Sequence, residues 1–397
     1  MAEIQVPEDL ETEESIEVLF DEDDNVVYPE ELQAEGEIPF GENMAEYIDE
    51  STLSKICNEL INAYQEDVAS REDWYNTFKK GLDLLGIDSE SRSEPFEGSS
   101  GVYHPLLAEA TTHFQAQAYK ELLPANGPVD TKVMGASNDP KAMQANRVKD
   151  FMNYQLMYKM EEYDPEMDQM LFFLPLAGSA FKKCYYDPSM GRVVSRFVKA
   201  EDLIVPYSTT DLHTTPRITH VIKMTENDLL KLQLSNFYRD VEMTSPNSID
   251  DTSAVQDKID QLDGVTRTGA SLDYSLLECH VELDIEGFEH KGQDGEPTGL
   301  ALPYIVTICQ DNNEVLAIRQ NYAEDDPMRK KIEYFTHYKF LPGLGFYGFG
   351  LIHMIGGVTR SATAILRQLI DAGTLANLPA GFKSRGLNIQ RADDPVQ

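Results

Sequence analysis

Basic residues are scarce in this sequence. Lys and Arg total 33 against 69 Asp and Glu, and the first basic residue is Lys55. A chain that grips nucleic acid over a broad surface must replace phosphate counterions and needs the opposite balance, so the composition argues against tight general nucleic-acid binding. No run of about 18 uncharged apolar residues occurs, which excludes a spanning helix. The N-terminus has no basic segment followed by an apolar run, so no signal peptide is expected. The four cysteines (Cys57, Cys184, Cys279, Cys309) are too scattered for a zinc knuckle or a disulfide framework, and a reducing site of synthesis fits them. A Gly-x-Ser-x-Gly elbow, a Walker loop and a Cys-His constellation are all missing. Acids are so abundant that a carboxylate pair somewhere in the chain would carry no information.

What is present is a foldable chain. Its 397 residues suggest two or three domains, and a 41% hydrophobic composition supplies ample core. The charge is uneven: residues 1–50 hold 19 acids and no base, while the other 347 hold 50 acids and 33 bases. A block such as Asp21-Glu22-Asp23-Asp24 repels itself, so 1–45 reads as a solvated arm, either a solubilising tail or a segment that orders on a partner. Val18-Leu19-Phe20 and Val26-Val27-Tyr28 are its candidate anchors.

Helical spacing of Leu53, Cys57, Leu60 and Tyr64 predicts a helix over 50–86, and the stretch 88–101 breaks the chain. Pro105 opens a second helix, with an apolar stripe through Leu107, Ala110, Phe114, Ala118 and Leu122. Asn138-Asp139-Pro140 starts a third helix to about Tyr163, and Asp164-Pro165 a fourth. The methionines of these two (Met143, Met152, Met157, Met160, Met167, Met170) read most simply as adaptable core, and an interface that re-packs between states would use the same chemistry. The period then changes to that of strands: 180–186 and 192–199 flank a turn at 187–191, followed by 203–205 and 218–224. Thr225 caps a short helix, and 240–272 reads as a polar loop or weak helix. A second β block covers 276–288, 304–309 and 314–319, and then 332–340. A glycine-rich turn, 341–350, leads into a helix over 351–372 that Gly373 can close. Strands bunched in two blocks make the fold class α+β.

Each motif has a plain structural alternative. Gly343-x-Gly345-x-x-Gly348 matches the dinucleotide fingerprint as a string, but the strands before it form antiparallel hairpins, so a tight sheet-to-helix connection explains it better. His213 and His220 have no further ligand at metal-binding spacing, and His104 beside Pro105 reads as a local cap. No cofactor or metal is expected. On the last helix Leu351, Ile355, Val358, Ala362, Ile365, Leu366 and Leu369 form an apolar stripe, and Gly356-Gly357 is a point where it could bend. Arg360 and Arg367 share one face two turns apart, with Asp371 at i+4 from Arg367, and Lys383, Arg385 and Arg391 follow in the tail.

Several strings, in order, resemble the portal proteins (head-to-tail connectors) of tailed bacteriophages, especially the short-tailed type. They are Gly101-Val-Tyr-His-Pro-Leu-Leu107, Phe172-Phe-Leu-Pro-Leu-Ala-Gly-Ser-Ala-Phe181, Phe197-Val-Lys-Ala-Glu-Asp-Leu-Ile-Val-Pro206, and Gly345-Phe-Tyr-Gly-Phe-Gly350 followed by Ala364-Ile-Leu-Arg-Gln-Leu-Ile-Asp-Ala-Gly373. The resemblance spans roughly 50–390 and leaves out the acidic leader. It implies a portal-like fold with a helical and β-hairpin wing, a helical stem and a small β-rich clip. It also implies a homo-oligomeric ring, usually of twelve, at one capsid vertex of the virion, made in the host bacterial cytoplasm. Double-stranded DNA would pass through the ring without tight binding. The implied partners are the terminase large subunit, which would carry the ATP chemistry, the head-tail adaptor and tail proteins, and the major capsid and scaffolding proteins. No membrane partner is implied, and the missing nucleophile, metal and phosphate-loop constellations lead to the expectation of no catalytic residue.

By position along the chain, 46–224 is then wing-like, 225–275 stem-like, 276–325 clip-like, and 326–397 the strand, turn, long helix and basic tail near the channel. Family members usually run further, so a C-terminal truncation is expected. Acidic walls that repel phosphates suit a conduit, with a few cations to centre the duplex. Arg360, Arg367, Lys383 and Arg385 are the candidate channel girdle. The competing roles are an Arg367–Asp371 pair and an Arg360 contact to an acid of a neighbouring subunit. Glu286, Glu289, His290, Lys291 and Asp294, around a hydrophilic loop, are the candidate partner-docking residues of a peripheral module. Another structural virion protein, such as an adaptor or scaffold partner, and an enzyme with a carboxylate site stay open. Perturbed carboxylates converging in one deep pocket would favour the enzyme.

Overall fold

The structure is a computed structural model, and it describes residues 19–20, 26–27, 39–85, 99–135, 139–188, 190–244, 254–262, 273–291 and 296–377. The first two pieces, β1 (Leu19–Phe20) and β2 (Val26–Val27), pair antiparallel across the acidic block, Leu19 opposite Val27. The arm ends sooner than residue 45. Asn43, Met44 and Ala45 are buried, and the Asn43 side chain bonds to Leu316 O and Ile318 N at 3.0 Å each. It acts as one peptide of an added strand and covers a sheet edge that would otherwise stay open.

Helices α1 (Glu50–Ser70) and α2 (Glu72–Leu82) replace the single helix expected over 50–86. Asp49 caps the first, accepting from Thr52 N at 3.0 Å. The break falls at Arg71. Its guanidinium turns inward to Ala200 O at 2.7 Å, Leu203 O at 3.1 Å and the Tyr347 hydroxyl at 3.1 Å, and also reaches Glu201 O. Then come α3 (Leu106–Leu122) and α4 (Asp139–Tyr154), which passes through a π-helical turn at Gln155–Lys159, and α5 (Tyr163–Ala177). The methionine expectation divides here. Met160, Met167 and Met170 are buried, whereas Met143, Met152 and Met157 are exposed, and no residue of α4 is buried.

Two larger antiparallel sheets follow. The first has the order β10-β3-β4, with β3 (Ser179–Asp187) and β4 (Arg192–Lys199) as the expected hairpin. Its other edge is β10 (Phe335–Lys339), which pairs across about 150 residues of sequence, Phe335 opposite Lys183. The second has the order β5-β6-β7-β8-β9, built from β5 (Leu203–Ile204), β6 (Arg217–Met224), β7 (Tyr274–Leu283), β8 (Leu302–Cys309) and β9 (Glu314–Gln320). This corrects the expectation that 276–320 is a separate module. β6 pairs with β7 along its whole length, from Arg217↔Val281 to Met224↔Tyr274. The connection between them, holding α6 (Glu226–Leu234) and α7 (Ala254–Leu262), hides the pairing because closing a long loop costs little more than closing a short one.

The core has three parts. One lies between α2, α3, α5, the three-stranded sheet and the long helix α8 (Leu351–Asn377), around Phe78, Leu107, Met170 and Phe181. A second lies between α1 and one face of the five-stranded sheet, around Leu53, Leu277 and Val306. The third packs α6 and Tyr238 against Tyr274 and Leu276 on the opposite face. The architecture is α+β. Among the described residues no helix is long and apolar enough to cross a membrane.

Candidate functional site

The glycine-rich turn is a packing device. Gly178 ends α5 at φ +85°, and a Cβ on Gly348 would stand 2.4 Å from Gly178 O, while one on Gly350 would stand 2.2 Å from Leu176 O. Two backbones therefore touch here with no side chain between them. Gly345, at the centre of the nucleotide-like string, faces open space. The turn delivers the chain from β10 into α8.

Helix α8 runs unbroken through Gly356-Gly357 and past Gly373 to Asn377, further than expected, with Gly356 the point of close approach to Leu84. Its inner face is Ile352, Gly356, Thr359 and Thr363. The apolar stripe packs in the core only at its start, where Leu351 and Ile355 touch the main cluster. Beyond that it turns outward: Val358 is 59% exposed, Ile365 65% and Leu369 69%. Val358, Ala362, Ile365, Leu369, Ala372 and Ala376 follow a 4-3-4-3-4 spacing. That is the spacing of a coiled-coil seam, with alanines small enough for close approach. None of the six is charged.

Arg360 and Arg367 come together on another side of the same helix. With Lys80, Asp83, Leu84, Tyr103, Thr363 and Ala364 they line a cavity of about 290 Å³ between α2, α8 and residues 99–105. The Arg367–Asp371 pair does not form. Arg367 Nε donates to Val102 O at 2.8 Å, and its guanidinium lies 4.4 Å from the Tyr103 ring centre. Asp371 instead accepts from Ser100 N at 2.7 Å. Arg367 Nη2 is buried and makes no hydrogen bond among the described residues. Asp83, the one acid among the described residues that line the cavity, pairs with Lys258 at 2.9 Å. His104 is no local cap: α3 starts without a side-chain cap, His104 Nδ1 is buried with no hydrogen bond among the described residues, and its backbone N–H donates to Thr363 on α8 at 3.1 Å. Lys383 and Arg385 lie outside the described residues. Lys80 and Tyr103 escaped sequence reasoning because only the tertiary fold brings α2 and the 99–105 segment to α8.

The candidate docking residues sit on the connection from β7 to β8. Glu286 and Lys291 are exposed, and Glu289 and His290 half-buried. Thr298 N donates to His290 O at 2.8 Å, and Lys291 bridges to Pro297. Buried Ile285 and the packed Phe288 anchor the connection to the core beneath α1. Asp294 lies outside the described residues.

The strongly perturbed groups are elsewhere. Lys183 on β3 and Glu278 on β7 form an ion pair at 2.6 Å, and His280 Nε2 meets the same carboxylate at 2.7 Å. Burial pushes the Glu278 carboxyl up, but Lys183 and His280 outweigh it and hold it far below the usual carboxylate range. Burial lowers the neighbouring His220 to about 4. On the β4–β5 turn, burial and then Asp202 raise Glu201 to about 7. Neither Glu201, Asp202 nor Glu278 lines the cavity at Arg360 or a second one at Cys57 and Asn313. Among the described residues no cluster of His, Cys, Asp and Glu could hold a metal ion.

Comparison with known proteins adds no relative: no family model matches the chain, and no curated protein matches it.

Proposed function

We propose that the chain is a subunit of a portal ring, the head-to-tail connector at one capsid vertex of a tailed bacteriophage, through which DNA enters and leaves the virion. In this reading it is a structural protein with no catalytic residue. The ring has about a dozen copies on the family resemblance, and its docking partners are the terminase large subunit, the tail adaptor, and the capsid and scaffolding proteins.

The observation that carries the reading furthest is the seam on α8. A 27-residue helix turns its most apolar stripe away from its own core. Large apolar stripes exposed on one chain mark surfaces covered by another, and a 3.5-residue period selects a helix as the cover. A net charge of −36 suits the wall of a conduit that must let a polyanion slide. Glu286, Glu289, His290 and Lys291 would then serve motor or adaptor docking from a connection anchored to the five-stranded sheet rather than from a separate module. Electron microscopy of the purified protein tests the reading. Rings with an axial opening are the expected particles, and compact monomers at every concentration would refute it.

A further inference from the structure

The cavity at Arg360 is a built feature of a chain otherwise short of cations. Among the described residues that line it three are basic, Lys80, Arg360 and Arg367, and the one acid, Asp83, is already paired with Lys258. Arg367 is held in place by Val102 O and the Tyr103 ring. That leaves its Nη2 inside the protein with no acceptor among the described residues. A guanidinium fixed by two contacts, with one nitrogen still without an acceptor, is pre-organised for an anion.

We infer that this cavity seats an acidic side chain of a second copy of the chain. The inference rests on the ring reading and names a contact within it. Three features favour a carboxylate on a side chain over a phosphate of passing DNA. Leu84, Ala364 and the Tyr103 ring give the cavity apolar walls that suit the methylene stem of Glu or Asp and offer a phosphodiester nothing. The cavity is recessed between α2, α8 and Tyr103, whereas a duplex that slides needs shallow, exposed contacts. The chain itself displays two acids for every base. The position of the cavity on α8 fits as well. In a closed ring each subunit meets its two neighbours through two different surfaces. At 100° per residue, Arg367 lies roughly 160° around the helix from Ile365 and from Leu369. The seam and the cavity are thus two different surfaces of α8, the cavity lying on the side of the helix toward α2. Of the two roles open to Arg360, girdle or inter-subunit contact, the geometry supports the second.

The test uses a photo-reactive benzophenone amino acid in place of Ala364, an exposed residue of the cavity wall, in a mixture of ¹⁴N- and ¹⁵N-labelled chains. The expected product joins chains of different label, with the cross-link within a peptide rich in Asp or Glu. In parallel, Lys80→Gln together with Arg360→Gln should raise the concentration at which the oligomer dissociates by about tenfold or more, since truncating a charge pair at an interface acts mainly on dissociation. Oligomers that assemble as wild type in the double variant, or cross-links found only within one chain or only to DNA, overturn the inference and leave the ring standing. A wild-type chain that forms no oligomer overturns the ring reading, and the inference with it.

Discussion

The Nζ of Lys183 lies 2.6 Å from both carboxylate oxygens of Glu278, and this pair joins the three-stranded sheet to the five-stranded one. Both side chains are largely buried, and His280 completes the arrangement from the same strand as Glu278. Removing one partner strands the other charge away from water. Lys183→Met or Glu278→Leu alone is expected to cost about 3–5 kcal/mol, and the two together considerably less. Urea unfolding of the two single variants and the double variant checks this. Losses that simply add, with the double variant costing the sum of the two singles, would show that the pair does not hold the sheets together.

The buried groups also set a pH profile with two opposing arms. Glu278 is held below its unfolded value, so its stabilisation is present above the ordinary carboxylate range and fades as pH falls through it. His220, lowered to about 4, acts in the same direction: the unfolded imidazole takes up a proton from about pH 6.5 downward and the folded one does not. Glu201 runs the other way. Its folded value of about 7 lies above the unfolded one, so it costs stability progressively as pH rises from about 4.5 to 7. Glu201→Gln should therefore stabilise the protein by on the order of 3 kcal/mol at about pH 8 and change little at about pH 4. Unfolding midpoints of both proteins across that range give the answer, and a pH-independent difference would contradict the assignment.

The glycine turn yields a paired comparison. Gly350→Ala forces a Cβ to within 2.2 Å of Leu176 O, a backbone atom that cannot swing aside. It is expected to cost more than about 3 kcal/mol or to abolish folding. Gly345→Ala meets no atom within 4 Å and should be near neutral. Thermal melts of the two variants separate a packing role from a ligand-binding one, because a nucleotide site built on this string would need Gly345 as well.

Local signals in the sequence found most of the elements but little of their arrangement. The hairpin of β3 and β4 announces itself through Asp187, Pro188 and Gly191, and Thr225 with Asp228 marks the start of α6. What was hidden depends on contacts between distant segments: β10 completing the sheet of β3, β6 pairing with β7, and Asn43 closing the edge at β9. The split at Arg71 was hidden too, since only the carbonyls of Ala200 and Leu203 explain why that side chain turns inward. Helix α8 shows the limit most clearly. Its apolar stripe was plain, yet the inner face is the less apolar set Ile352, Gly356, Thr359 and Thr363, chosen by close approach to Leu84 and by the Thr363 bond to His104 N. Periodicity locates a stripe and says nothing of which chain covers it.

That distinction is testable in the folded subunit. Ile365→Glu and Leu369→Glu alter exposed side chains and should leave the melting temperature within a few degrees of wild type, because surface changes are usually worth under about 0.5 kcal/mol. Both should weaken self-association sharply. Thr363→Glu, at a buried position, should unfold the protein instead. Circular dichroism with analytical ultracentrifugation distinguishes the two patterns. Loss of fold in the first two variants would mean that the seam belongs to the subunit's own core.

The central claim is a closed ring, and native mass spectrometry of the purified wild-type chain measures it most directly. The account predicts one dominant high-order species at an integer multiple of the 44.7 kDa subunit, close to twelve copies, that disappears in Ile365→Glu. A monomer or dimer as the only species, at concentrations where the protein is soluble and folded, would contradict it.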